Sequence, residues 1–521
     1  MRSLYTFFMV SVSTFALAQV TFNMRYSFDF LGAVASSVVP VEDGYYMTGI
    51  VSDTIAPYNL GCFFTKTDLN GHPIFLNTIK GSSFEIGTWF NTLALLPDST
   101  FVLSSTHYDS LEKTMFLRMD IDGDTLFTKK FVNPAYPEYE VMQPTGGMER
   151  LPDGTFLVSN WFHNGPENAQ SQDVYILRLE ASGDTIWSRT FHSLKNDKPT
   201  SMVVDSQTGN AIIGLLTTNF NQVWQDYSSQ VRLIELSPSG EVLWDYTTSE
   251  SIGLRDAPND MVRLGDGSLV IASGEGTEIE RPTGNTIWFE KLLFKLSPDG
   301  EILWETPFPD PDFNSQSKLT NVVEISDGSG FIVAGQQGDY VNNTYHHVRG
   351  WVSKVNHQGQ VDWERAFVGV DSEDPKHEIF DLKECPDGGY ILAGESQDGT
   401  WQSIPPQQAW LLKLDEHGCL VPGCHLPNNV GEVPENSVEL AIYPNPTVDY
   451  LNFQLRGNND INDGMFRIVN SDGKVMKEFI VDIREGDTFV VQVWEWPMGA
   501  YFLQLIDPEA TVIISKKFIK N

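Results

Sequence analysis

Carboxylates are the side chains of this sequence with the greatest capacity for chemistry. The 521 residues include 69 Asp and Glu but only 34 Lys and Arg. Two carboxyl groups held about 5–9 Å apart can cleave a glycosidic bond, one as acid and the other as nucleophile or base. The acids considered for such a pair are Glu85, Glu140, Asp173, Asp226, Glu278 and Asp339. Spacing along the chain does not tell which of them converge, so a carbohydrate-active hydrolase or lyase is one hypothesis.

Motifs of other catalytic classes are absent from the sequence. It contains no G-x-S-x-G, no H-E-x-x-H, no phosphate-binding P-loop and no Cys–His nucleophile signature. We therefore favour a protein without catalytic residues over an enzyme, and the question of catalysis stays open at this point.

Aromatic residues in the irregular stretches form the second group that could act on another molecule. Rings flanked by Asn, Asp and Gln suit sugar rings or peptide side chains. The residues that we predict to bind a ligand are Trp161, His163, Trp224, Tyr227, Trp288, Tyr345 and Trp401. The sequence favours a glycan or a protein as the ligand, and packing of one loop on another is the alternative use of these rings.

Candidate metal ligands are few. His346 and His347 are adjacent, and neighbouring residues of an extended segment point in opposite directions, so both rarely reach one ion. The stretch Asp120–Asp124 resembles part of a calcium loop but lacks the later bidentate Glu. We expect no metal and no cofactor, with calcium at this stretch as the alternative.

The charge and the first residues indicate where the protein acts. A formal net charge of −35 repels nucleic acid and anionic membranes, so neither is an expected partner. Residues 1–18 predict a signal peptide, because Arg2 precedes a short apolar run and Ala16-Leu17-Ala18 fits a cleavage site. No later run has the ~20 apolar residues of a membrane-spanning helix. We expect an exported protein without a transmembrane span.

A recurring hairpin organises residues 19–425. In Leu292–Phe308, LLFKLSPDGEILWETPF, an Asp-Gly turn separates two alternating apolar runs, which predicts paired strands. The turn glycine recurs as Gly71, Gly123, Gly183, Gly240, Gly300, Gly359 and Gly418, at intervals from 52 residues (71 to 123) to 60 residues (123 to 183). The first six copies carry an aromatic residue four positions later, as Phe75, Phe127, Trp187, Trp244, Trp304 and Trp363. We interpret this ring as a packing residue between neighbouring units.

The repeats predict an all-β fold with a ring of blades. A second turn, such as Asp266-Gly267, precedes each of these hairpins, so each unit has four strands. Seven such units predict a seven-bladed β-propeller, with a β-solenoid as the alternative. The seventh unit lacks its last strand, and we predict that the N-terminal strand 21–28 completes it.

These repeats resemble those of the quinoprotein-like and delta-60-repeat families at the level of the fold. Quinoprotein dehydrogenases carry adjacent cysteines near their cofactor, and this sequence has no vicinal pair, so the resemblance implies no quinone. The four cysteines are Cys62, Cys385, Cys419 and Cys424. The Pro-Gly turn inside Cys419–Cys424 can bring those two sulfurs together, and we predict a disulfide there and single buried thiols at the other two positions.

Residues 437–521 read as a separate module after a polar linker, 426–436. Their alternating runs predict a small Ig-like β-sandwich. The residues that mark it are Tyr443, Pro444, Asn445, Pro446, Gly473, Gly499, Tyr501, Lys516 and Lys517. In this order they resemble the type A C-terminal sorting domain of the type IX secretion system of Bacteroidota. An ordinary Ig-like domain is the alternative.

The resemblance implies transport across the outer membrane, with the secretion machinery and its sortase as partners. It also implies removal of the domain and either release of the protein or its attachment to surface glycolipid. Together, the observations favour a secreted or cell-surface propeller that binds a glycan or a protein. The alternatives are the hydrolase or lyase introduced above and a structural surface component.

Overall fold

The structure is a computed structural model of the chain. It describes residues 19–55, 59–81, 85–137, 141–142, 146–163, 172–192, 195–219, 229–248, 254–255, 257–279, 286–309, 315–341, 344–370, 372, 374–399, 406–421, 424, 439–447, 449–456, 461–470, 473–484, 487–506 and 512–520. The predicted signal peptide and the whole of the predicted linker therefore lie outside the described residues.

All regular structure in the described part of the chain is β-strand, so the all-β prediction is confirmed. The first strand is β1 (Phe22–Tyr26). Sheets 1 to 3 contain β2 (Gly32–Val41), β3 (Gly44–Ser52), β4 (Leu60–Thr67) and β5 (Pro73–Ile79); β6 (Glu85–Leu95), β7 (Phe101–Tyr108), β8 (Glu112–Met119) and β9 (Thr125–Phe131); and β10 (Val141–Met142), β11 (Met148–Arg150), β12 (Phe156–His163), β13 (Gln172–Leu179) and β14 (Thr185–Phe191).

Four further sheets follow along the chain. Sheets 4 and 5 contain β15 (Lys195–Val204), β16 (Ala211–Asn219), β17 (Gln230–Leu236) and β18 (Val242–Thr247); and β19 (Leu254–Arg255), β20 (Asp260–Arg263), β21 (Leu269–Ile279), β22 (Thr286–Leu296) and β23 (Ile302–Phe308). Sheets 6 and 7 contain β24 (Ser315–Glu324), β25 (Phe331–Val341), β26 (Thr344–Val355) and β27 (Val361–Phe367); and β28 (Pro375–Glu384), β29 (Tyr390–Asp398) and β30 (Gln407–Leu414).

Within each of these sheets, neighbouring strands are antiparallel and follow the order of the chain, except that β10 and β11 both pair with β12, and β19 and β20 both pair with β21. A parallel bridge between Gly32 of β2 and Gln407 of β30 also joins sheet 1 to sheet 7. The turn of the recurring hairpin is closed at Ser297, whose amide donates to Glu301 O at 2.8 Å, while the Gly300 amide donates back to Ser297 O at 3.0 Å. Gly300 has a φ of 86°, a conformation that glycine adopts without strain. Local turn chemistry thus sets the register of each hairpin.

The periodic aromatic residues lie between neighbouring sheets, which confirms their interpretation as packing residues. The ring of Trp304 covers the turn of the next sheet, where a Cβ added to Gly359 would lie 2.9 Å from the indole. The indole Nε1 also donates to His357 O at 3.2 Å. Trp187 repeats both contacts, with Gly240 at 3.2 Å and a hydrogen bond to Pro238 O at 3.0 Å. The small turn residue and the large ring are complementary in shape.

The N-terminal strand lies at the outer side of sheet 7. β1 pairs antiparallel with β30, with Phe22 opposite Lys413 and Tyr26 opposite Ala409. The Tyr26 hydroxyl donates to Gly71 O of sheet 1 at 2.6 Å. Strands from the two ends of residues 19–421 therefore share one sheet. Nearby, Cys419 and Cys424 form a disulfide, while Cys62 and Cys385 are buried free thiols.

One strand from each of sheets 1 to 7 contacts its counterparts in the two neighbouring sheets, and these contacts form a closed circle. Each of β2, β6, β11, β15, β20, β24 and β28 contacts the next, and β28 contacts β2. We call these seven the inner strands.

The C-terminal module consists of two facing sheets around one apolar core. Its strands are β31 (Glu439–Tyr443), β32 (Tyr450–Arg456), β33 (Ile461–Asn470), β34 (Val475–Ile483), β35 (Thr488–Gln492), β36 (Gly499–Ile506) and β37 (Val512–Lys520). One sheet has the order β35-β32-β31 and the other β34-β33-β36-β37. Leu451, Phe453, Phe466 and Leu503 are buried in the core between them.

Candidate functional site

The inner strands are irregular at one level. Register shifts occur between Ala35 and Ser37 in β2, and between Ile379 and Asp381 in β28, with similar shifts in β6, β15 and β24. A bulge leaves one residue unpaired and re-aims the neighbouring side chains. Polar side chains at these bulges can therefore turn toward the adjacent sheet.

Two carboxylates of the inner strands accept hydrogen bonds from the next sheet, Asp381 beside the bulge of β28 and Asp260 at the regular start of β20. Asp381 Oδ2 accepts from the Val38 amide at 2.8 Å, which joins sheet 7 to sheet 1. Asp260 Oδ2 accepts from the Val322 amide at 2.9 Å, which joins sheet 5 to sheet 6. Both carboxylates thus bond a backbone N–H group of an inner strand that carries a bulge.

Neutral side chains make equivalent bonds between neighbouring sheets. Ser37 Oγ accepts from the Thr92 amide at 3.1 Å, between sheets 1 and 2. Asn259 Nδ2 donates to Leu319 O at 2.7 Å, between sheets 5 and 6. Asn321, Thr200 and Ser201 donate to carbonyl oxygens of the following sheet in the same way. Side-chain hydrogen bonds thus link successive inner strands, several of them from residues beside bulges.

A cluster of charged groups lies beside these bonds. Lys383 Nζ is 2.8 Å from Asp381 Oδ1 and 3.3 Å from Asn91 Oδ1. Asn91 Nδ2 in turn donates to Glu149 Oε1 at 2.9 Å. This chain of contacts spans sheets 7, 2 and 3. We call Asn91, Glu149, Asp260, Asp381 and Lys383 the axial cluster.

Burial changes the protonation of the axial cluster. It raises the pKa of Glu149 to about 7, against the opposing effects of Lys383 and Asn91. It also raises the pKa of Asp260 to about 6, although the Val322 amide and Lys383 favour the charged carboxylate. Burial acts in the opposite direction on Lys383, but Asp381 overcomes it and raises the pKa of the ammonium. The cluster can therefore hold an exchangeable proton on Glu149 near neutral pH.

A second polar cluster, centred on His192, lies where sheet 3 meets the connection from sheet 2. Asp173 is fully buried at the start of β13, and its Oδ2 is 2.7 Å from Nδ1 of His192, just after β14. The Tyr136 hydroxyl is 3.5 Å from the other ring nitrogen, Nε2. The rings of Tyr136 and Phe162 pack edge-on against the imidazole, at 5.8 and 6.4 Å between centroids. We call Asp173, His192 and Tyr136 the histidine triad of sheet 3.

The histidine triad has an arrangement that suits proton transfer. The buried carboxylate fixes the imidazole orientation, and the His192 side chain keeps 46 % of its surface exposed. A positioned imidazole can take up a proton, and a nearby phenol can donate one. Asp173 is one of the acids considered from the sequence.

Of the predicted ligand-binding residues, Trp161 is the one whose side chain is described. It is 7 % exposed in β12, and the ammonium of Lys198 lies 5.4 Å from the ring centroid. The Trp161 ring therefore packs between sheets 3 and 4. Its role in ligand binding stays a prediction. The backbones of His163, Trp288 and Tyr345 lie in β12, β22 and β26, with side chains outside the described set. Trp224, Tyr227 and Trp401 lie outside the described residues altogether.

Four of the other carboxylates considered from the sequence have no described side chain. Glu140 and Asp226 lie outside the described residues, as do the side chains of Glu278 and Asp339. Glu85 lies at the start of β6. Sequence reasoning missed Glu149, Asp260 and Asp381. A usable signal was that Asp260 and Asp381 each stand six positions before a turn aspartate, at 266 and 387.

The possible calcium stretch is stabilised as a turn. Asp120 Oδ1 accepts from the amides of Asp122 and Asp124, at 3.1 and 2.9 Å. These bonds are those of an Asp-capped turn. Among the residues that the structure describes, no group of three or more His, Cys, Asp or Glu side chains is placed to hold a metal ion.

The predicted sorting residues shape one end of the C-terminal module. Asn445 Oδ1 accepts from the Ile519 amide at 2.9 Å, and its Nδ2 donates to Lys517 O at 3.3 Å, so the Tyr-Pro-Asn-Pro segment is fastened to β37. The Tyr501 hydroxyl donates to Pro497 O at 2.6 Å. Gly473 closes the β33–β34 turn with a φ of 80°. Lys516 and Lys517 are exposed on β37.

One comparison with known proteins identifies the function of this module. Residues 441–521 match the family described as the secretion system C-terminal sorting domain. Such a domain directs export through the type IX secretion system, so the chain interacts with that machinery and is attached at, or released from, the outer cell surface. The predicted localisation is confirmed. In the described residues we find no helix long and apolar enough to cross a membrane.

The remaining comparisons concern structure. PorZ, an essential surface component of the type IX secretion system of Porphyromonas gingivalis, shares 9 % identity at a TM-score of 0.29, over 93 % of this chain and 70 % of its own. The polysaccharide lyase Uly1 shares 10 % at 0.40, over 73 % and 90 %. An α-L-arabinofuranosidase from Fusarium graminearum shares 11 % at 0.40, over 62 % and 91 %. At these values the similarities say nothing about ligand or reaction. No curated protein matches the chain in sequence.

Proposed function

We propose that the chain presents a seven-bladed β-propeller at the outer cell surface, where it binds an extracellular glycan or protein without catalysis. The sorting module supplies the location. The proposal of seven blades rests on the closed circle of contacts among the inner strands and on the pairing of β1 with β30. The Ig-like sandwich is proposed for the sorting module on the basis of its two facing sheets.

The non-catalytic proposal rests on the hydrogen bonds that two carboxylates of the axial cluster accept. Asp260 and Asp381 both accept backbone N–H groups of an adjacent sheet, so their lone pairs serve the architecture. A ligand would then meet the connections between the second and third strands of each sheet, and between the last strand and the next sheet. Loops on a rigid scaffold commonly carry binding sites.

An array of glycans and peptides tests this proposal on the exported chain. Trp224→Ala and Trp401→Ala alter two predicted contact residues in the connecting segments. Leu126→Ala is the matched control, because Leu126 is 53 % exposed on the outer strand β9. We expect a bound class of glycan or peptide whose signal falls at least tenfold in one tryptophan variant and stays unchanged in the control. Binding that survives both tryptophan substitutions would contradict the role of these rings.

The histidine triad favours a second candidate function, that of a hydrolase or lyase acting on a polysaccharide. In this proposal His192 accepts a proton from the substrate or from water, and Asp173 stabilises the imidazolium that forms. Incubation with a panel of acidic and neutral polysaccharides, followed by detection of new reducing ends and unsaturated sugars, tests it. His192→Ala should abolish product, whereas His72→Ala, at an exposed ion pair in sheet 1, should not. Equal product from both variants would reject the triad as the catalytic group.

A further inference from the structure

The sorting module contacts the propeller at the outer edge of sheet 6. Its strand β35 lies parallel to β27, with Thr488 opposite Phe367, so one sheet runs from β24 through β27 into β35, β32 and β31. β27 is the last strand of its own sheet and would otherwise present an open edge. The module therefore adds strands to the propeller rather than standing apart from it.

An ion pair fixes this junction. Arg349 Nη1 in β26 is 3.2 Å from Oδ1 of Asp487, the residue before β35. The other oxygen of Asp487 accepts from the Arg484 amide at 3.0 Å, which orients the carboxylate. The Asp487 side chain is 12 % exposed and that of Arg349 34 %. A partly buried, oriented pair is more specific in geometry than a fully exposed one.

A second contact links the module to the strand that completes sheet 7. The guanidinium of Arg25 in β1 lies 5.9 Å from the ring centroid of Tyr450 at the start of β32. Tyr450 also contributes, after burial and Asp68, to raising the pKa of Tyr26. The contact between Arg25 and Tyr450 falls on β1, the strand that pairs with β30.

Burial within the module supports the same junction. In β32, Leu451 and Phe453 face the module's own core, so Asn452 and Gln454 point the other way. That second face would meet water in an isolated module, yet Asn452 and Gln454 are only 4 % and 5 % exposed. Their cross-strand neighbours in β35, Val490 and Thr488, are 5 % and 4 % exposed. The outward face of this sheet is therefore covered in the full chain.

We propose that the sorting module docks in cis on the propeller, through β35 against β27 and through β32 against β1, and thereby holds the N-terminal strand in sheet 7. The partner of the module's outward face is thus the protein that it exports. The inference is independent of any ligand of the propeller. Two contacts would then act only in the precursor and end when the module is removed: Arg349 with Asp487, and Arg25 with Tyr450.

Zero-length cross-linking in the full chain tests the docking directly. Arg349→Lys keeps the cation and adds an amine that a carbodiimide can join to Asp487. Arg467→Lys is the matched control, because Arg467 pairs with Glu478 inside the module whether or not the module is docked. We expect both amide links, identified by mass spectrometry, in similar yield. A control link without the link between positions 349 and 487 would overturn the proposal. Mixing ¹⁵N-labelled and unlabelled chains separates links within one chain from links between chains, and links only between chains would also overturn it.

Hydrogen exchange tests the effect on β1. Asp487→Lys removes the pairing charge and repels Arg349, so the amides of Phe22–Tyr26 should exchange at least fivefold faster than in the parent chain. Glu478→Lys, which disturbs only the pair inside the module, should leave them unchanged. Equal exchange of β1 in all three proteins would show that the module does not hold this strand.

Discussion

The amide of Val38 donates a hydrogen bond of 2.8 Å to Oδ2 of Asp381, which is 343 positions away along the chain. The same carboxylate accepts from the Leu382 amide at 2.9 Å and pairs with Lys383 at 2.8 Å. One buried side chain therefore joins the last sheet to the first. Together with the pairing of β1 and β30, it provides two connections between the ends of residues 19–421, one at the inner strands and one at the outer edge.

Removal of the Asp381 carboxylate should destabilise the closed circle of inner strands. We expect Asp381→Ala to lower the free energy of unfolding by about 3 kcal/mol, because it leaves the buried Val38 amide without an acceptor and Lys383 without its nearest carboxylate. Urea denaturation followed by tryptophan fluorescence measures the change. Asp98→Ala, which breaks the exposed pair with Arg118, is the control and should have little effect. A loss no larger than that of the control would contradict the assigned role.

The axial cluster should make stability depend on pH. The pKa of Glu149 rises from 4.5 to about 7, so the folded chain binds this proton more tightly than the unfolded chain between these values. By linkage, the free energy of unfolding then falls as the pH rises through this window. Asp260, with a pKa of about 6, and Glu395, with one of about 7, add to the same fall.

Glu149→Gln should reduce the dependence of the free energy of unfolding on pH without removing it. The amide retains an oxygen for Asn91 but carries no charge. At about pH 8 the variant should be more stable than the parent by about 1–2 kcal/mol, and at about pH 4 the two should be equal. Urea midpoints measured across this range check it, with Glu301→Gln at an exposed turn as the control. Parallel curves for the parent and the Glu149 variant would exclude a large contribution from this carboxyl group.

The complementarity of the periodic ring and the turn glycine can be measured as a coupling energy. Trp304→Ala should cost about 2 kcal/mol, since the half-buried indole loses its contacts and its hydrogen bond to His357 O. Gly359→Ala should cost a similar amount, because its Cβ would meet the indole and its φ of 80° disfavours alanine. In the double variant the steric part vanishes and only the backbone strain remains, so the two costs should not add.

Leu303→Ala is the control for this cycle, because Leu303 precedes the tryptophan and is 52 % exposed on the opposite face of β23. Its free energy of unfolding should change by no more than about 0.5 kcal/mol. Full additivity of Trp304→Ala and Gly359→Ala would mean that the ring and the turn do not constrain each other.

How much of this architecture the sequence predicts depends on the range of the interactions. The hairpin of Leu292–Phe308 follows from a local turn and alternating residues, and the scaffold role of Trp304 follows from its repetition. The axial cluster joins residues from sheets 2, 3, 5 and 7, and no local pattern places Lys383 near Asn91. His192 was missed for the same reason, because its partnership with Asp173 depends on how two connections fold beside each other. The register shifts of the inner strands, such as the one between Ile379 and Asp381, have no local sequence signal either.

The terminal strand of the sorting module should contribute to export without contributing to the fold. Lys516 and Lys517 are exposed on β37, whereas Phe518 beside them is buried in the core and stacks on Tyr501 at 5.5 Å. We expect the double substitution Lys516→Glu and Lys517→Glu to leave thermal unfolding of the full chain within about 2 °C of the parent. In the native host it should lower the amount at the cell surface at least fivefold, with precursor accumulating inside the outer membrane. Lys474→Glu, at the exposed β33–β34 turn, is the matched charge control and should be exported normally. Normal export of the double variant would show that recognition by the secretion machinery does not use these two lysines, and the fastening of Asn445 to β37 would then be the next feature to test.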